Sequence, residues 1–287
     1  MSSEPHVFPA SPVRRGFTIL ELLISMGVVT VLAALVLPAI GSAREMARGV
    51  ECVSRLRQTG VALHAHHDQR GQLPVGWSWE PEGKSAYGWA VELLPFMEQQ
   101  QLYRQISRDQ PLDQQAGFEL RRALLPMFLC PSDVFEPLFV LYEESSSSGP
   151  GAAVMELPTA SFVGVFGTKE ADDGIPAPLG DGVFLEDQPV RFSEITRGLS
   201  NTLCVGERTA ARVPSTWLGV PANGEDAACR LVGSAFTSPN CNVCDECEFG
   251  SRHPGGSNFL WGDGRVTLVS ENISTAEYRM LARRNAE

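Results

Sequence analysis

The sequence predicts an α+β protein, with one long N-terminal helix leading into a globular head whose sheet is mostly antiparallel. Three observations predict it. Residues 17–40 are uncharged except for Glu21, an apolar spacing of three and four carries the helix on to Gly71, and short β-rich runs in the second half close on an Asp-Gly hairpin.

Size and charge set the bounds. At 287 residues, 43% apolar and 20% charged, the chain can bury one large core or two small ones. Residues 1–70 hold seven arginines and five acids, whereas residues 71–287 hold sixteen basic and twenty-nine acidic residues. So acidic a body repels phosphate backbones, and no nucleic-acid partner is expected.

The first element is the run from Phe17 to Ile40. As a helix it extends roughly 36 Å, enough to cross a bilayer's hydrocarbon core. A cleaved export signal is the rival, since Arg14 and Arg15 supply a basic start and Gly41-Ser42-Ala43 is a run of small residues. The run is long for a signal, and a signal has no use for Glu21. A cut after Gly16 gives that acid a use: Phe17 becomes a free N-terminal amine one helical turn from Glu21. In side-by-side helices, the amine of one subunit can then neutralise the acid of its neighbour and set their register.

The helix continues over residues 41–71, where Met46, Val50, Val53, Leu56, Gly60 and Leu63 make one stripe and Gly71 marks the stop. The expected helix of about fifty residues is roughly 80 Å long, with its upper part packed on the head. His64, His66 and His67 are expected at a solvated helix end, where imidazolium meets the dipole. Residues 72–287 form the head. "YGWAVELLPFMEQQQLYRQI" (87–106) reads as a helix interrupted near Pro95, "FELRRALLPMFLCPSD" as a second helix running into a Cys-Pro turn, and residues 143–152 as a loop. Strands are expected at 161–166, 182–185, 201–206 and 230–237, with a hairpin of 257–261 and 265–270 around Gly262-Asp263-Gly264.

Two resemblances follow from these residues. "RRGFTILELLISMGVVTVLAALVLPAI" resembles the leader and N-terminal helix of type IV prepilins and type II secretion pseudopilins. That likeness implies a leader of residues 1–16, cleavage after Gly16 and methylation of Phe17 by a prepilin peptidase/N-methylase, and an assembly role for Glu21. It also implies a single-pass inner-membrane anchor (17–40) with the head on the extracytoplasmic side. The remaining partners it implies are like subunits or other pseudopilins, in a type IV pilus-like or type II secretion-like filament that can reach the cell surface. Flanking arginines on both sides leave orientation to the resemblance rather than to charge.

The second likeness is to the bacterial family known as domain of unknown function 1559, which joins a prepilin-like start to a His-x9-Asp-Gly motif, here His253, Asp263 and Gly264. "ELLPFMEQQQLY", "FLCPSD", "SFVGVFGT", "RFSEITRGLSNTLCVGER" and "SRHPGGSNFLWGDGRV" carry it. It implies a pilin-like fold and an export route, not a molecular role.

The remaining candidates are cysteines and a His-Asp pair. Cys229, Cys241, Cys244 and Cys247 are a candidate tetrathiolate for zinc or iron–sulfur ligation, but the acids at 245, 246 and 248 disfavour thiolates, and an oxidising envelope favours two disulfides. Cys52 and Cys130 are either a disulfide tying helix to head or two buried thiols; Cys204 reads as core. His253 and Asp263 are expected to hold the hairpin by hydrogen bonds, with a catalytic or metal pair as the alternative. Asp263 and Glu271 are candidate calcium ligands by analogy with some pseudopilins. No cofactor is expected, and the absence of a catalytic triad, phosphate loop or H-E-x-x-H motif gives no support to an enzyme. The expected function is a filament subunit; the alternatives are a singly anchored binding protein that uses the prepilin route for export, and a metal-dependent envelope enzyme.

Overall fold

The structure is a computed structural model that describes residues 16–115, 118–144, 151–241, 243 and 247–286. In chain order its elements are α1 (Ile19–Arg70), β1 (Trp77–Trp79), β2 (Ser85–Gly88), α2 (Trp89–Leu93), α3 (Gln100–Gln105), α4 (Phe118–Arg121), β3 (Leu138–Tyr142), β4 (Ala153–Ala160), β5 (Phe162–Gly167), β6 (Leu203–Glu207), β7 (Ser215–Thr216), β8 (Gly219–Pro221), β9 (Val232–Ser234), β10 (Gly256–Trp261), β11 (Val266–Ser270) and α5 (Thr275–Ala282). The chain divides into two compact units, Met1–Met46 and Ala47–Glu287.

In the first unit the described residues are Gly16, Phe17 and Thr18 and the start of α1. Leu20, Leu23, Val29, Leu32, Leu35 and Leu37 are all exposed, and the segment is long and apolar enough to cross a membrane. Pro38 lies inside the helix.

The second unit begins on the same helix, where one stripe turns inward: Cys52, Leu56, Thr59, Gly60, Leu63 and His66 are buried. Gly60 is part of that stripe for a steric reason, because a Cβ there would stand 2.7 Å from Leu260 Cδ1 on β10. The helix stops where Gly71 takes φ of 76° and its N–H bonds to His67 O at 2.7 Å.

The five-stranded sheet has the order β11-β10-β6-β5-β9, antiparallel throughout except for the parallel β5/β9 pair. Two smaller three-stranded sheets, β1-β2-β8 and β3-β4-β7, complete the head. Alternation along β10 divides the core: Leu260 belongs with Leu56, Leu63, Trp77, Trp89 and Phe184, whereas Phe259 and Trp261 pack with Phe249, Val163 and Tyr278 of α5.

Several expectations are corrected. The expected helix over 87–106 begins as strand β2 and then splits into α2, a 3₁₀ turn at Leu94–Met97 and α3. The second expected helix is four residues of α4, followed by a 3₁₀ turn at Pro126–Phe128. Residues 182–185 are not a strand: the Val183 and Phe184 N–H groups both bond to Val165 O, at 3.0 and 3.1 Å, so the segment crosses the end of β5 without a ladder. The histidines are packed rather than solvated. His64 Nε2 lies 3.0 Å from Gly262 O, His66 Nδ1 lies 3.0 Å from Gln72 O, and His67 stacks on Phe192 with centroids 4.0 Å apart.

Candidate functional site

At the N-terminus, Gly16 and Phe17 are exposed ahead of α1. Thr18 caps the helix, because the Glu21 N–H donates to Thr18 Oγ1 at 3.2 Å while Thr18 N–H and Oγ1 donate to Glu21 Oε2 at 2.9 and 2.8 Å. Thr-Ile-Leu-Glu is therefore a reciprocal capping box, a local role for Glu21 that the sequence reading missed although S/T-x-x-E is its signature.

In the head, four side chains from four distant stretches meet: Cys52, Cys130, Glu207 and His253, all buried, with one ligand-type atom each and all these atoms within 4.8 Å of one another. Cys52 comes from the buried stripe of α1. Three residues on, Arg55 Nη1 donates to Pro126 O at 2.6 Å and Leu129 O at 2.8 Å, which fixes the turn that presents Cys130. Asp133 closes the other side of that turn, accepting from Thr209 Oγ1 at 2.6 Å and Ala210 N at 2.9 Å. Glu207 ends β6 and is oriented by Asn258, whose N–H and Nδ2 lie 2.8 and 3.1 Å from Oε2. His253 enters from the loop before β10; its N–H donates to Ser251 Oγ at 3.1 Å.

The contacts within the cluster are direct. Cys130 Sγ lies 3.3 Å from His253 Nε2, His253 Nε2 lies 3.3 Å from Glu207 Oε1, and the Cys52 thiol donates to Glu207 Oε1. Hydrogen bonds to Cys130 Sγ and Glu207 Oε1 favour the protonated ring and push His253 up to about 10. Cys130 is drawn down to about 7, first by the Cys52 thiol and then by His253, and the same bond, with burial, pushes Cys52 up. Burial raises the Glu207 carboxyl, but His253, Cys52 and the Asn258 N–H together outweigh it and hold it below the usual carboxylate range.

The neighbouring residue does something different. Arg208 is fully buried and donates to Glu248 O at 3.1 Å, Val232 O at 3.1 Å, Cys229 O and Cys247 O. Burial brings its guanidinium down to about 9. The two carbonyls belong to a disulfide, Cys229–Cys247, with Cα atoms 5.0 Å apart. Cys241 is also disulfide-bonded, while Cys244 lies outside the described residues. With two of its members oxidised to each other, the tetrathiolate is not formed. Cys52, Cys130 and Cys204 are free thiols, so no bridge ties α1 to the Cys130 turn.

His253 and Asp263 do not act together. His253 faces the cysteines and Glu207, whereas Asp263 holds its own turn by accepting the Arg265 N–H at 3.0 Å. The register that pairs Gly256 with Ser270 and Leu260 with Val266 places Asp263 and Glu271 at opposite ends of the hairpin, too far apart to share one cation. Of the site residues, Cys130, Glu207 and His253 each lie in a stretch that carried the family resemblance; Glu207 was missed because a glutamate in a β-strand gives no sign of its partners.

Two family models match the chain. The family described as a protein of unknown function (DUF1559) matches residues 41–276, and the prokaryotic N-terminal methylation motif matches residues 12–37. The chain belongs to the DUF1559 family, and its N-terminal segment is of the prepilin type. No curated protein and no solved structure matches it.

Proposed function

We propose that the chain is made as a prepilin, cut after Gly16, methylated on Phe17, and assembled through α1 as a structural subunit of a type IV pilus-like or type II secretion-like filament. The observation that carries this reading is the methylation motif over residues 12–37, which contains Gly16, Phe17 and Glu21. Its partners are a prepilin peptidase/N-methylase, the inner membrane and like subunits or other pseudopilins, with the head on the extracytoplasmic side.

Intact-mass and N-terminal analysis of the protein from membranes tests processing, with a chain starting at methylated Phe17 as the expected result. A start near Arg44 would mean a cleaved export signal and no filament helix. Assembly is tested by Glu21→Gln against Glu21→Ala. Glutamine keeps the capping box with Thr18 but removes the charge, so both variants should fail to assemble if the acid pairs with a neighbour's amine. Failure of the alanine variant alone would reduce Glu21 to a helix cap. A second reading, a singly anchored binding protein, is favoured by a cleft of about 380 Å³ lined by Trp77, Trp79, Glu186 and Asp226; that protein would be indifferent to both substitutions.

A further inference from the structure

We propose that Cys52, Cys130, Glu207 and His253 form a structural zinc site in the head. Burying two thiols, a carboxylate and an imidazole together is unfavourable against an apolar core of the same volume, so the arrangement needs a reason. Three readings compete: a catalytic relay, a disulfide and a metal centre.

Geometry excludes the relay. A nucleophile–imidazole–acid relay uses the two ring nitrogens in opposite directions, one toward the nucleophile and one toward the acid. Here Cys130 Sγ and Glu207 Oε1 both approach the same nitrogen, His253 Nε2, at 3.3 Å each. Convergence on one nitrogen is what a common central ion requires. The burial of all four residues also leaves a substrate no approach.

The two His253 distances suit zinc, while the Cys52 thiol, which donates to Glu207 Oε1 at closer range than two ligands of one ion stand apart, turns toward the centre on binding. Tetrahedral zinc with Zn–S of about 2.3 Å and Zn–N and Zn–O of about 2.0–2.2 Å separates its ligand atoms by roughly 3.3–3.8 Å. The two 3.3 Å separations fall at that edge length, and all four ligand atoms lie within 4.8 Å of one another. Two sulfurs, one imidazole nitrogen and one carboxylate oxygen are a borderline-soft donor set, suited to zinc rather than to calcium or magnesium. Four protein donors fill the coordination sphere, which is the pattern of a structural and not a catalytic site. The outer shell is in place as well: Asn258 donates to Glu207 Oε2 from its N–H at 2.8 Å, and its Nδ2 lies 3.1 Å from Oε2 and 3.2 Å from Oε1, which fixes the carboxylate with Oε1 facing the cluster. Binding displaces the two thiol protons and any proton on Nε2, with no change of oxidation state.

The disulfide reading is decided by experiment on the full-length protein purified in detergent without chelator. One zinc per chain is expected by elemental analysis, with Cys52 and Cys130 shielded from maleimide. A chelator should remove the zinc and expose both thiols, and Zn²⁺ alone should restore the shielding. Glu207→Gln and Asn258→Ala should each weaken zinc binding by about 10- to 100-fold, whereas Cys241→Ser should leave it unchanged. If the substitutions prevent folding, chelation and thiol labelling of the unmodified chain still decide. A Cys52–Cys130 disulfide in a zinc-free chain, or zinc that survives Cys130→Ser, would overturn the proposal. Because these readouts involve neither Gly16 nor Glu21, they stand or fall apart from filament assembly.

Discussion

Cys229 and Cys247 on one side, Cys52 and Cys130 on the other, are two buried pairs reached by consecutive residues of one segment, Arg208 and Glu207. The first pair is a disulfide and the second is not. Successive residues along an extended strand point to opposite faces, so Arg208 reaches the disulfide loop while Glu207 reaches α1. The Arg208 side sets a cation among carbonyls and places the Asp172 carboxylate 3.4 Å from Cys247 Sγ, but among the described residues it brings no imidazole to the sulfurs. The Glu207 side sets a carboxylate and an imidazole beside the thiols, which is a ligand set. Fate follows neighbours here, since burial is the same for both pairs.

The largest expected effect tests the Arg208 side. Arg208→Met removes the guanidinium donor from the carbonyls of Cys229, Val232, Cys247 and Glu248, of which Cys247 O still accepts the Ser234 N–H at 3.0 Å, and should destabilise the head by about 4 kcal/mol, read from denaturant unfolding. Removing the disulfide itself with Cys229→Ala and Cys247→Ala should cost about 3 kcal/mol, as expected for a bridge across 18 residues. An equal loss of zinc in that double variant would mean that the two pairs are not independent.

Gly60→Ala sharpens the other side. The added methyl presses on Leu260 and moves α1 from β10, which also carries Asn258, at a cost of about 1–2 kcal/mol. Labelling of Cys52 and Cys130 should speed up while the Cys229–Cys247 bridge stays intact; unchanged labelling would show that the helix does not set the thiol pair. The effect that is smallest at neutral pH concerns Cys204, a lone buried thiol. Burial, then the Asp263 charge, pushes its thiol up to about 12 from 9.0. A raised folded value means stability that is complete below about pH 9 and lost as pH rises toward 12. Cys204→Ala should flatten that alkaline decline in a thermal-unfolding series, and a decline that persists would assign it elsewhere.

How much of this was legible in the sequence differs by element. Periodicity over a long window gave α1 and its stop at Gly71, and Asp-Gly between apolar runs gave the β10–β11 hairpin, because both signals are local. Strands β1, β2 and β8 were missed because their pairing joins Ser85 to Pro221, and nothing in either short run announces the other. The prepilin segment was legible as a contiguous string. The cluster was not: its Cys130, Glu207 and His253 were visible as parts of separate matching stretches, but only the sheet order brings them to one point. The misreading of His253 as a hairpin clamp has the same cause, since sequence nearness favoured Asp263 over a cysteine 123 residues away.

The same separations bear on the order in which the head can be completed. Cys52 waits for a partner 155 residues downstream, and Cys130 for one 123 residues downstream. Loop closure over such lengths is a late event, slow compared with forming α1 or the terminal hairpin. During synthesis, the helix therefore leaves the ribosome long before anything exists to cover its cysteine. The thiol stays accessible to oxidants and chaperones until His253 has emerged, and the chain's last quarter acts as the seal on its first.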